Sequence, residues 1–190
     1  MNPGVVAAAA ASPPVRNLAG NPLFQVAQRG TSFAGLTGST QTLDRYRWVD
    51  TGTTSCVVTI TQDTDVPTIA QAGKDLRNSL KIDVTTAETL GTDERVYLEH
   101  NIEARDCVPI GIGLAGAQTI TYKIWHKSTK TGVYNISMQN MDGSRQYNRE
   151  ITVGTTNTWE QVSTTFPTET SGTGPSDDNG VGLTFMITFA

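Results

Sequence analysis

Few side chains in this 190-residue chain are placed to do chemistry. There is no Gly-x-Ser-x-Gly turn to expose a serine nucleophile, and no glycine-rich phosphate or dinucleotide fingerprint. Glu99 and Glu103 stand at i and i+4. On a strand they share a face about 13 Å apart by strand rise, beyond the roughly 5–9.5 Å that a glycosidase carboxylate pair needs. His100 and His126 are the only histidines. Both fall on apolar faces with no third ligand of matching parity, so they read as hydrogen-bonded core residues. Cys56 and Cys107 lie far apart with no Cys-x-x-Cys spacing and read as free buried thiols. Asp177, Asp178 and Asn179 precede Gly180. They offer oxygen ligands for Ca²⁺, which wants six to eight gathered in one place, but they are also the residue types that build turns. No catalytic residue, metal or cofactor is expected, and the chain is expected not to be an enzyme.

Recognition is the other chemistry these residue types offer. Trp125 falls on the face opposite Ile120, Tyr122 and Ile124, beside Lys123 and Lys127. A tryptophan there can stack on a sugar ring or anchor a protein interface; equally, a second layer, a loop or an N-terminal arm can cover it. Tyr97 holds the corresponding polar-face position in its own run. Trp125, Tyr97, Lys123 and Lys127 are therefore the candidate binding residues, whereas Trp48 and Trp159 read as core or rim. Arg29 and Asp44 read as an ion pair fastening the first strand to the second, with Gly30 permitting the turn between. A sugar-binding role for that pair is the alternative.

These residues depend on strands to position them. Leu80, Ile82 and Val84 alternate with polar neighbours, as do Val96, Leu98, His100 and Ile102. The same holds for Ile120, Tyr122 and Ile124, for Tyr134, Ile136 and Met138, and for the longest set, Val181 to Phe189. A period of two marks a strand with one buried face. Leu23–Gln28, Tyr46–Asp50, Cys56–Gln62, Gln146–Val153 and Trp159–Phe166 are further strand candidates. Asp142-Gly143 predicts a hairpin between the Met138 and Tyr147 strands, and Ser171 to Gly180 a loop. The one helical prospect is a turn or two around Ile69 to Asn78. Many strands with hairpin spacing and no βαβ alternation predict an all-β antiparallel sandwich over residues 17–190. The pattern running to Phe189 predicts a C-terminus pinned in the sheet.

Composition agrees. Hydrophobic residues are 37% and charged residues 17%, with Thr, Ser, Asn, Gln and Gly filling the difference, which suits half-exposed pleated surfaces rather than helical bundles. A net charge of -4 supplies no phosphate-tracking stripe, so no nucleic acid is expected as a partner. No run is long enough to cross a bilayer, so no membrane insertion is expected. Val5 to Ala11 lacks a basic leader and is not read as a signal peptide. Residues 1–16 read as an extended N-terminal arm that buries too little to fold alone, and a neighbouring subunit or partner is expected to hold it.

The run Asn21-Pro22-Leu23-Phe24-Gln25-Val26-Ala27-Gln28-Arg29-Gly30-Thr31-Ser32-Phe33, followed by Thr42-Leu43-Asp44-Arg45-Tyr46, resembles the opening of a domain common in tailed-bacteriophage virion surface proteins. Ile124-Trp125-His126-Lys127-Ser128, Lys130-Thr131-Gly132, Asn157-Thr158-Trp159-Glu160 and Asp178-Asn179-Gly180-Val181-Gly182-Leu183 follow in the matching order. The resemblance spans about residues 17–190. It implies a jelly roll of galactose-binding-like or carbohydrate-binding-module type, and surface attachment rather than catalysis. A tail-fibre subunit of this kind carries a long N-terminal shaft, whereas the arm here is short. The expectation is therefore a capsid decoration (cement) or head-fibre subunit anchored through its arm, with a tail-fibre module recognising host surface glycans as the alternative. Its partners would be further copies of itself, as a trimer, and the major capsid protein or another virion protein. Its place would be the virion surface, after assembly in the host cytoplasm.

Overall fold

The computed structural model describes residues 16–189; of the expected arm, all but Arg16 lies outside them. The described residues form eleven strands: β1 Ser32–Leu36, β2 Thr40–Gln41, β3 Tyr46–Thr51, β4 Val57–Asp63, β5 Ser79–Thr86, β6 Arg95–Glu103, β7 Ile120–His126, β8 Gly132–Asn140, β9 Arg145–Val153, β10 Glu160–Phe166 and β11 Val181–Thr188. Two one-turn helices, α1 Ile69–Ala72 and α2 Ala104–Cys107, and a 3₁₀ turn at Val108–Ile110 complete the set. No helix among the described residues is long and apolar enough to cross a membrane.

The chain folds as an all-β antiparallel sandwich with unequal layers. One layer is a continuous six-stranded sheet in the order β2-β3-β6-β11-β8-β9. The other is broken into a three-stranded sheet, β1-β4-β5, and a two-stranded sheet, β10-β7. Each piece closes over its own part of the core. Trp48 and Val96 of the large sheet meet Val58 and Ile60 of β4, with Cys56 and Phe189 beside them. Ile136, Met138, Leu183 and Phe185 meet Ile120 and Phe166 of the two-stranded sheet. The period-two patterns explain this placement, because Val96 and Ile102 of β6, Tyr134, Ile136 and Met138 of β8, and Leu183, Phe185 and Ile187 of β11 fall on the face that meets these clusters.

The break in the second layer is bridged by side chains. Asp65, just after β4, accepts hydrogen bonds from the Lys127 ammonium and from Trp159 Nε1, the latter at 3.0 Å. Lys127 also sits 5.6 Å from the centre of the Trp159 ring. Lys127 foremost, then Trp159, hold the Asp65 carboxyl below its ordinary pKa.

Leu23–Gln28, expected as a strand, is a series of turns instead. Asn21 Oδ1 accepts from Val26 N–H at 3.0 Å, while its Nδ2 donates to the carbonyls of Val26 and Asp44 at 2.9 and 3.1 Å. Both backbone groups of Val26, which a neighbouring strand would satisfy, are taken by one side chain. Gln28 N–H likewise goes to Asp44 Oδ2 at 2.7 Å, and Gln62 Nε2 reaches the Phe24 carbonyl at 2.5 Å. The helix expected within Ile69 to Asn78 is the single turn α1. A Thr68–Gln71 capping box opens it, and Gly73, at φ 69°, closes it. The Met141–Ser144 turn joins β8 and β9 where the hairpin was expected, with Met138 directly opposite Tyr147. Phe189 continues the edge of β11, its N–H bonded to the Val96 carbonyl at 3.1 Å.

Candidate functional site

The outward face of the six-stranded sheet carries the most developed polar surface. Cross-strand pairing sets Arg47 opposite Glu99, Glu99 opposite Met186 and Met186 opposite Ser137, with Ser137 opposite Asn148. Their side chains stand on the face away from Trp48, Leu98 and Phe185. Arg47 Nη1 donates to Glu99 Oε1 at 3.3 Å, and Asn101 Nδ2 donates to the same oxygen at 3.1 Å. Thr184 Oγ1 donates to Asn101 Oδ1 at 2.7 Å. Beyond Met186 a second network joins Asn135, Ser137, Asn148 and Gln146 through bonds of 2.7–2.9 Å. Glu99, Thr184 and Ser137 are buried although they belong to the outward face. They are flanked on neighbouring strands by longer side chains.

At the β2–β3 end this surface dips into a pocket of about 390 Å³ lined by Arg29, Gln41, Asp44, Arg45, Arg47 and Asn101. Each of its arginines is tied to a carboxylate: Arg29 to Asp44 of the lining at 3.6 Å, and Arg47 and Arg45 to Glu99 and Glu103 behind it, both at 3.3 Å. Paired guanidinium and carboxylate groups with side-chain amides present donors and acceptors in fixed planes, which is the arrangement that reads vicinal hydroxyls or an acidic group on a polar ligand. An aromatic stack supports it from the core side. Tyr46 lies 4.9 Å from both Phe24 and His100, ring centre to ring centre. His100 Nε2 meets the Gly20 backbone, 3.1 Å from its N–H and 3.2 Å from its carbonyl oxygen. Burial pushes the His100 pKa down and the Tyr46 pKa up; in both cases it favours the neutral ring, which serves as packing.

The sequence-expected site residues do not gather in one place. Tyr97 stands on the polar face, two residues before Glu99 on β6, and burial foremost raises its pKa. Trp125 and Lys123 stand on the outside of the two-stranded sheet, opposite Gln161 and Ser163 of β10. They lie across the sandwich from Tyr97. Trp125 is half-buried and Lys123 exposed. Lys127 belongs to the Asp65–Trp159 bridge. Arg29 and Asp44 do form an ion pair, but it fastens turns and the pocket wall, since Leu23–Gln28 is no strand. Gln41, Arg45, Arg47 and Asn101 were not singled out from the sequence. Arg47 and Asn101 occupy polar positions of two alternating runs, and only the β3–β6 pairing makes them neighbours.

The other chemistry-bearing groups are accounted for locally. Cys56 and Cys107 are free and buried, as expected. Burial pushes both thiols up, Cys107 to about 12, which suppresses the reactive thiolate. Asp178 Oδ1 accepts from Gly180 N–H at 2.8 Å, and Asp177 pairs with Arg105 at 3.3 Å, so the Asp177–Asn179 segment shapes a turn docked on α2. No cluster of three or more His, Cys, Asp or Glu among the described residues could hold a metal ion. The expected hydrogen-bonded histidine is found at His100 but not at His126, whose Nδ1 is buried without a partner. Glu160, opposite it across the sheet, instead accepts from Gly154 N–H at 3.2 Å. Glu169 is 6% exposed, and neither carboxylate oxygen has a hydrogen-bond partner.

No protein-family model matches the chain, and no curated protein matches it. Among solved structures the chain is similar to the enzymatically active domain of tailspike protein 4 from bacteriophage CBA120, at a TM-score of 0.45 and 13% identity. The match covers 76% of this chain and 17% of that one.

Proposed function

We propose that the chain is an attachment subunit of a tailed-phage virion surface that holds a saccharide on the outward face of its six-stranded sheet. The phage assignment rests on the ordered motifs from Asn21 to Leu183. The saccharide assignment rests on one observation, the pocket in which Arg29, Gln41, Asp44, Arg45, Arg47 and Asn101 converge. A pocket of that volume takes one or two sugar rings, and its polar lining offers both donors and acceptors. Recognition is non-catalytic in this reading, because Asp44, the one carboxylate in the pocket lining, is engaged by Arg29.

This places the tail-fibre type of role, recognition of host surface glycans, ahead of capsid decoration or a head fibre. The decoration role depends on the arm at 1–16, nearly all of it outside the described residues. A glycan array of bacterial O-antigens and capsular polysaccharides tests the proposal. The full chain is expected to bind a defined subset, and Arg47→Ala to weaken that binding at least about tenfold, equivalent to roughly 1.4 kcal/mol. A chain that binds no glycan on such an array, or an Arg47→Ala variant that binds as well as the parent, overturns it.

A further inference from the structure

The sandwich carries a second pocket of opposite character at the end where α2 lies. It holds about 240 Å³ and is walled by Cys107, Val108, Ile112, Leu114, Gly174 and Pro175. Val108 and Leu114 are large apolar side chains left 45% and 66% exposed at its rim. Glycine keeps its walls in place. Gly113 sits at φ 86°, and a Cβ on Gly174 would fall 1.9 Å from the Ile112 carbonyl oxygen. The two loops therefore meet backbone to backbone, and side chains from neither can fill the space between. An apolar hollow with an exposed apolar rim is unfavourable in water unless a further apolar group enters it.

The position of Arg16 indicates the occupant. Its guanidinium lies 2.5 Å from Asp106 Oδ1, and Asp106 immediately precedes the first residue of the pocket wall. Fifteen residues stand before Arg16, and they include Val5, Val6 and the alanines Ala7 to Ala11. Val and Ala side chains suit a hollow of this size and polarity. Pro13 and Pro14 stand between that apolar run and Arg16. Two consecutive prolines are a sequence that disfavours a tight reversal onto the same chain's pocket. Fifteen residues reach at most about 50 Å when extended, enough to cross to a neighbouring domain.

We infer that the pocket between α2 and the Gly172–Pro175 loop receives the Val5–Ala11 segment of a second copy of this chain, making a head-to-tail interface. The interface is independent of the saccharide pocket. Such a contact is heterologous, so copies close into a ring when the rotation between them permits.

Sedimentation velocity on the full-length chain and two full-length variants tests this. Leu114→Asp removes the pocket, and the double variant Val5→Asp, Val6→Asp removes the inserting segment. The parent is expected to sediment as an oligomer, and each variant alone at the mass of one chain. An equal mixture of the two variants is expected to restore a two-chain species, because one supplies the segment and the other the pocket. Leu114 is exposed, so its melting temperature should match the parent; should it unfold, Leu114→Ser takes its place. A parent of single-chain mass, a variant that still associates alone, or a mixture that stays at single-chain mass each overturns the inference. The first of these is the result expected if the segment docks on its own chain.

Discussion

The two layers of this sandwich solve the same burial problem differently. The six-stranded layer is continuous, and its outward polar groups are knitted across the strands: Glu99 is buried, yet it accepts from both Arg47 and Asn101. The opposite layer is split, and polar side chains take over where backbone pairing stops. There Asp65 ties Lys127 and Trp159 across the break, while in the loop after β10 the carboxylate of Glu169, equally buried, has no donor at all. A continuous sheet can hold a polar surface at fixed spacing, because register fixes each cross-strand pair. The split layer has no such register at its seam. That difference explains why the polar pocket lies on the continuous side.

The contrast can be broken at the core first. Trp48 and Phe166 anchor the two parts of the core, Trp48 from the six-stranded sheet against β4 and Phe166 from β10 of the two-stranded sheet. Trp48→Ala is expected to cost about 3–5 kcal/mol and to lower one shared unfolding transition, since the six-stranded sheet contributes to both clusters. Calorimetry showing two transitions, with only one shifted, would mean that the two halves are separate cooperative units.

A smaller effect, of opposite sign, belongs to Glu169. A buried carboxylate with no partner carries an uncompensated desolvation cost, so Glu169→Met, which removes both unpaired oxygens at similar volume, is expected to stabilise the fold by about 1–3 kcal/mol. Urea unfolding of the two proteins checks this, and a destabilised variant would contradict the contrast with Glu99. The smallest effect belongs to the seam. The Asp65 pKa is depressed in the folded state, chiefly by Lys127. Its stabilisation is thus present above the unfolded value near 3.9 and is lost as pH falls through the folded value. With its side chain 52% exposed, Asp65→Asn should cost less than about 1 kcal/mol. Thermal melts should separate parent and variant at pH 6 and bring them together at pH 2.

Much of the fold is legible in the residues themselves. The alternation in β6, β8 and β11 placed the core face correctly, and the Asp142-Gly143 hairpin fell where turn chemistry put it. Leu23–Gln28 misled, because its apolar spacing is strand-like while backbone partners are supplied by the side chains of Asn21, Asp44 and Gln62, a competition invisible to periodicity. The short strand β1 escaped notice because Gly35, at φ 66°, and an irregular register against β4 break the period of two. The polar pocket was not legible, because Gln41, Arg47 and Asn101 become neighbours only once β2, β3 and β6 are known to pair. Trp125, Lys123 and Lys127 were singled out as an aromatic residue flanked by charge on one strand face. One of the three, Lys127, turns out to hold the seam of the split layer.

The most direct test asks which outer face holds the ligand. A ¹H–¹⁵N titration of the full chain with a saccharide that it binds reports both faces in one experiment. The largest shifts are predicted at Gln41, Arg47, Glu99 and Asn101, with Lys123 and Trp125 unmoved. Shifts confined to Lys123, Trp125 and Gln161 would contradict the assignment of the continuous sheet as the binding face.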